Sequence, residues 1–122
     1  MTVPDIAEHI AMERDTLRLL CSVLIKPVTR VEICRLLDSG KFVEPLQRIL
    51  FEEIRALGAA DARQLLQLLP ARVTNRGFPD FDLQDLLTPK LVSEGQIEKL
   101  FQSALRLIEL EDSDEASTQT VN

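Results

Sequence analysis

His9 lies in the run IAEHIAMERD with Glu8 and Glu13 close by, and it is the chain's single histidine. An imidazole beside carboxylates is the raw material of a metal site or a general base. One histidine without cysteine ligands or a spaced carboxylate pair offers a metal too few donors, so His9 is expected to be a surface side chain. Glu52 and Glu53 suggest paired acids, but neighbours on a helix point about 100° apart and cannot converge on one bond. Glu52 falls with Arg48 and Arg55 on the polar face, a solvated charge cluster. Glu53 falls between Ile49 and Leu46 inside the apolar stripe, so it must reach out to water or take an arginine partner. Cys21 and Cys34 lie in apolar helical patterns without a CxxC pair, which reads as core thiols with neither metal nor redox chemistry. There is no GxxxxGK phosphate loop and no GxSxG elbow. No catalytic, cofactor-binding or metal-ligating residue is therefore expected, and the chain does not read as an enzyme.

The elements that would position these side chains are all helical. The first pattern runs from about Pro4 to Lys26, with a break near Met12; Leu17, Leu20, Cys21, Val23, Leu24 and Ile25 make its second half apolar nearly all round, which predicts a central, buried helix including Leu24. Pro27 stops it. Thr29 with Glu32 forms a capping box and Val28 with Ile33 a hydrophobic staple, predicting a second helix over Arg30 to Leu37 that ends at a left-handed Gly40. FVEPLQRILFEEIRALG follows as a helix from Pro45, closed by Gly58. Asp61 with Gln64 caps a short helix that Pro70 ends, and ARVTNRGFPDFD reads as a loop before a turn or two at Leu83 to Leu87. Ser93 with Gln96 caps the last helix, which carries Ile97, Leu100, Phe101, Ala104, Leu107 and Ile108. No alternating strand pattern is present. The fold class is all-α, about six helices in a compact orthogonal array forming a single domain over residues 1–110.

The formal charge of −6 sits mostly in a tail. Glu109, Glu111, Asp112, Asp114 and Glu115 are crowded together, and without them 15 acidic side chains face 14 basic ones. The segment EDSDEASTQTVN has almost nothing to bury and is expected to be disordered over residues 111–122. The body lacks a basic stripe, so no direct nucleic-acid partner is expected. No signal peptide is visible near Met1 and no apolar run approaches the roughly 18 residues of a membrane span, which, with unpaired cysteines, points to the cytoplasm and away from membranes.

One question is whether the apolar face of FVEPLQRILFEEIRALG closes a private core. Leu46, Ile49, Leu50, Ile54 and Leu57 fall within roughly 140° of arc, and Phe51 projects about 60° beyond Ile54. In the last helix Ile97, Phe101, Ala104 and Ile108 share a narrow face, from which Leu107 and Leu110 swing away by roughly 80° to 140°. Phe51, Leu107 and Leu110 are thus the side chains most easily spared from a core, and they are the candidate partner-binding residues.

FVEPLQRILFEEIRAL resembles the signature of the N-terminal domain of the bacterial replicative helicase (DnaB type), through Phe42, Pro45, Arg48, Ile49, Phe51, Glu52, Ile54 and Leu57. Upstream, Glu13, Leu17, Leu20, Leu24 and Pro27 are similar to the preceding helix of that family, and equally to the helicase-binding C-terminal domain of bacterial primase (DnaG type). The resemblance spans about a third of the chain. Lys41 and Val43 stand where an acidic residue and a second aromatic are common, Gln47 replaces a frequent histidine, and one long helix after Ser93 replaces a two-helix hairpin. Neither the ATPase nor the polymerase module is present, so no catalysis carries over. The resemblance implies a recognition fold whose partner is a replicative helicase or primase, and no cofactor. The alternatives are an oligomerisation or adaptor protein, for instance a homodimer, with only a fold-level relation, and a helix-turn-helix regulator using Thr29 to Leu37, against which the neutral body argues.

Overall fold

The computed structural model describes residues 5–79 and 94–121, with the side chains of Glu94 and of residues 111–121 left aside. The expected helix at Leu83 to Leu87 and the Ser93 cap lie outside the described residues, whereas the backbone of residues 111–121, expected to be disordered, continues the last helix. Among the described residues the fold is all-α, with five helices rather than six and no strand: α1 Ile6–Leu20, α2 Pro27–Leu36, α3 Pro45–Leu57, α4 Ala62–Asn75 and α5 Glu94–Val121. A 3-10 turn, Ser39–Lys41, joins α2 to α3.

Helix α1 begins where Asp5 accepts the Glu8 N–H at 2.8 Å. It ends at Leu20, well before Lys26. Two causes are local: the Ser22 hydroxyl takes the Leu24 N–H at 3.0 Å, offering the backbone a non-helical partner, and Pro27 forces Lys26 into an extended conformation, ψ 151°. Leu17, Leu19 and Leu20 are fully buried, as a central helix requires, but Leu24 and Val23 project from the connection with 44% and 76% of their surface exposed. The expected burial of Leu24 is thereby corrected.

Helix α2 starts one turn earlier than the Thr29 box predicts, because Pro27 itself occupies the first helical position with its φ already suited to it. Thr29 is inside the first turn, no side chain caps the helix, and Val28 is exposed instead of stapled. The helix ends at an extended Leu37, not at a left-handed glycine. Gly40 lies in the 3-10 turn, where its N–H bonds Asp38 at 3.0 Å, and the positive-φ glycines among the described residues are Gly58 and Gly77.

Helix α3 is as the sequence reads, with Pro45 at its start and Glu44 accepting the N–H groups of Leu46 and Gln47. Helix α4 opens with the Asp61–Gln64 capping box in both directions. It runs straight past Pro70 to Asn75, whereas a stop was expected there. The proline ring is exposed, and Leu65, Leu69 and Val73 on the core-facing side are fully buried. Core packing thus outweighs the lost hydrogen bond. Helices α1 and α5 pack most extensively, followed by α3 against α4 and α1 against α3.

Candidate functional site

Two of the three expected partner residues are interior. Phe51 and Leu107 have no exposed surface, and Leu110 is half-buried. The buried arc of α3 extends past Ile54 because Phe42, at the entrance of the helix, stacks on the Phe51 ring with centroids 4.7 Å apart and planes 18° apart. The Arg55 guanidinium lies 5.2 Å from the same ring, so the ring carries a cation on its face. The buried arc of α5 is likewise centred on Leu100, Ala104 and Leu107, with Ile97, Phe101 and Ile108 packed at its edges. Phe51 and Leu107 belong to the hydrophobic core in this structure and are not surface a partner could touch.

Three clusters of ionisable groups stand out among the described residues. The first centres on Glu13, which has no exposed surface. Its carboxylate accepts the Val43 N–H at 2.7 Å, the Glu44 N–H at 3.4 Å and the Gln47 amide at 2.8 Å. His9 Nε2 stands 3.1 Å from the same carboxylate and 2.7 Å from the Lys41 carbonyl. Both neighbours are acceptors, so Nε2 carries the hydrogen. His9 is therefore a half-buried strut between α1 and the 3-10 turn, not the free surface histidine expected. Lys41 extends the cluster, donating from Nζ to the Ile108 carbonyl of α5 at 2.8 Å. Sequence reasoning missed the set because its members are far apart in the chain; the one signal was a Glu placed among Met12, Thr16 and Leu17 on the buried face of α1.

The second cluster joins α3 to α4. Of the two outcomes open to Glu53, water or an arginine, the structure shows the second, twice over: Arg72 and Arg76 each donate at 2.6 Å. Burial pushes the Glu53 carboxyl up, and the two guanidinium hydrogen bonds outweigh it, leaving the group below its usual range. Glu52 bonds Arg76 at 2.8 Å and lies 3.7 Å from Arg48; the Arg76 hydrogen bond holds its carboxyl low too.

The third lies between α2 and α3. Arg30 is 1% exposed, donates from Nη2 to the Gly58 carbonyl at 3.3 Å, and leaves its buried Nε and Nη1 without a hydrogen-bond partner. Burial lowers its pKa, partly offset by the thiols of Cys34 and Cys21. Both cysteines are buried and unpaired. Burial pushes the Cys21 thiol up to about 12 and Cys34 up to about 11, against the opposing pull of Arg30. Thiols so far from ionising are poor nucleophiles and ligands at neutral pH. Beside them a pocket of about 100 Å³ is lined by Val31, Cys34, Arg35, Ile54, Arg55 and Gly58. Among the described residues no group of three His, Cys, Asp or Glu side chains could hold a metal ion, and no helix is long and apolar enough to cross a membrane.

No family model matches the chain, and no curated protein or solved structure matches it at a significant level.

Proposed function

We propose that the chain is a non-catalytic protein–protein interaction module of the kind used between the bacterial replicative helicase and primase. The observation that carries the reading is how the polar groups are used. The carboxylates of Glu13 and Glu53, the two with the richest surroundings, are consumed in fixing α1 to α3 and α3 to α4. What the α2 side of the molecule offers to solvent is an apolar pocket together with exposed Val23, Leu24, Val28 and Leu36. Such a surface suits recognition by shape and apolar contact. Among the residues that carry the resemblance, Phe42, Phe51 and Ile54 are core, and Glu52 ties α3 to α4.

The direct test is sedimentation velocity of the purified chain mixed with a purified bacterial replicative helicase and, separately, with primase. Co-sedimentation with either supports the reading. Self-association with no affinity for either supports the second reading, an oligomerisation or adaptor protein, which the exposed Val23, Leu24 and Val28 around one turn also favour.

A further inference from the structure

We infer that the pocket between α2 and α3 docks an acidic peptide segment of a partner protein, which inserts one aliphatic side chain flanked by carboxylates. The inference rests on the interaction-module reading and names its site. The pocket volume, about 100 Å³, is below the roughly 150 Å³ of an enclosed cavity that holds benzene, which favours a small aliphatic anchor over an aromatic ring. The pocket is lined by half-buried Val31, with the buried Cys34 and Ile54 behind it.

The rim supplies the second half of the recognition. Arg35 from α2 and Arg55 from α3 are exposed and line the pocket from different helices. Each is held in place: Arg35 by Glu32 at 3.0 Å, and Arg55 by the Phe51 ring at 5.2 Å. Behind the wall, the buried Arg30 guanidinium bonds the carbonyl of Gly58, itself a lining residue. Two exposed arginines, one of them paired with Glu32, thus border an apolar hollow. A ligand with one apolar anchor and carboxylates on both sides satisfies the hollow and the rim at once. Val28 is exposed one turn before Val31 on the same face of α2, giving the peptide apolar surface beyond the anchor.

The test uses a fluorescein-labelled peptide with a single leucine between Asp-Glu pairs, against the full-length chain, read by anisotropy and by amide chemical shifts. The expected result is saturable binding that weakens with added salt, with shifts centred on Val31, Arg35, Arg55 and Gly58. Arg35→Glu with Arg55→Glu, both at exposed positions, should weaken binding by about tenfold or more while leaving the helical circular dichroism unchanged. Val31→Phe should block the hollow and abolish binding with the rim intact. A leucine-to-serine peptide that binds equally well, or shifts centred on another face, overturns the inference. It is also overturned if the chain self-associates through this face, so that the double variant abolishes dimers and the peptide does not compete. Peptide binding without affinity for helicase or primase leaves the pocket assignment standing and removes the replication reading. Helicase binding that survives the double variant does the reverse.

Discussion

A carboxylate with no exposed surface must have its hydrogen bonds supplied from within the protein, and Glu13 has them from Val43, Glu44 and Gln47. Glu13→Ala removes the acceptor these N–H groups share, so it should cost about 1 to 3 kcal/mol, measured as a lowered urea midpoint. A loss below about 1 kcal/mol would mean that the α1–α3 junction stands without it. Phe51 and Leu107 are tested in the same experiment. As core residues, Phe51→Ala and Leu107→Ala should cost about 3 to 5 and 2 to 5 kcal/mol respectively, whereas Leu24→Ala, nearly half exposed, should cost under about 1 kcal/mol. For Glu53 the choice between water and an arginine was legible, because an acid inside an apolar stripe has few alternatives, but which arginines it takes was not. The role of Glu13 was not, because its partners come from residues 30 and more positions away. Phe51 and Leu107 were misplaced because angular position on an isolated helix shows where a stripe is centred, not how far neighbours wrap round it. The ring of Phe42 widened one arc and the packing of α1 against α5 rotated the other.

Helix boundaries show where local signals compete. Asp61 with Gln64 is an unopposed capping box and forms as written. Thr29 with Glu32 is an equally good box, but Pro27 two residues earlier is already shaped for the first helical position and takes it. Thr29→Ala should therefore cost less than about 0.5 kcal/mol, where loss of a working cap costs about 1. Pro70 gives the opposite lesson: a breaker in sequence is overridden when the flanking residues are anchored. Leu65, Leu69 and Val73 bury one face of α4, and Arg72 and Arg76 clamp it to Glu53. Restoring the missing N–H by Pro70→Ala should stabilise the chain by about 1 to 3 kcal/mol, part of the interior proline penalty being offset by a freer unfolded chain. A destabilised variant would show that the proline is needed where it stands. The all-α class was legible because helical periodicity survives such end effects, while the ends themselves depend on which of two valid caps the rest of the fold selects.

At the scale of the molecule, the same buried groups set limits on the pH range of the fold, and the signs differ at its two ends. Glu53 ionises more readily folded than unfolded. Its stabilisation is thus present above the unfolded value of about 4.3 and is lost as pH falls through its lower folded value. The thiols act in the other direction. Folded, Cys34 and Cys21 keep their protons up to about 11 and about 12, while an unfolded thiol loses its proton near 8.5, roughly the free-cysteine value. Between these values the folded state binds more protons than the unfolded one, so stability falls as pH rises, by up to about 1.4 kcal/mol per pH unit for each thiol. The chain has no tyrosine to add to this alkaline limb, and lysines contribute equally to variant and parent. Urea midpoints across the alkaline range should therefore decline steeply in the parent and less steeply in Cys21→Ala and in Cys34→Ala. The slope, not the level, is the readout, since each substitution also removes packed volume. Equal slopes in all three proteins would mean that the thiols ionise as easily folded as unfolded, and hence that the α2 side of the core opens to water.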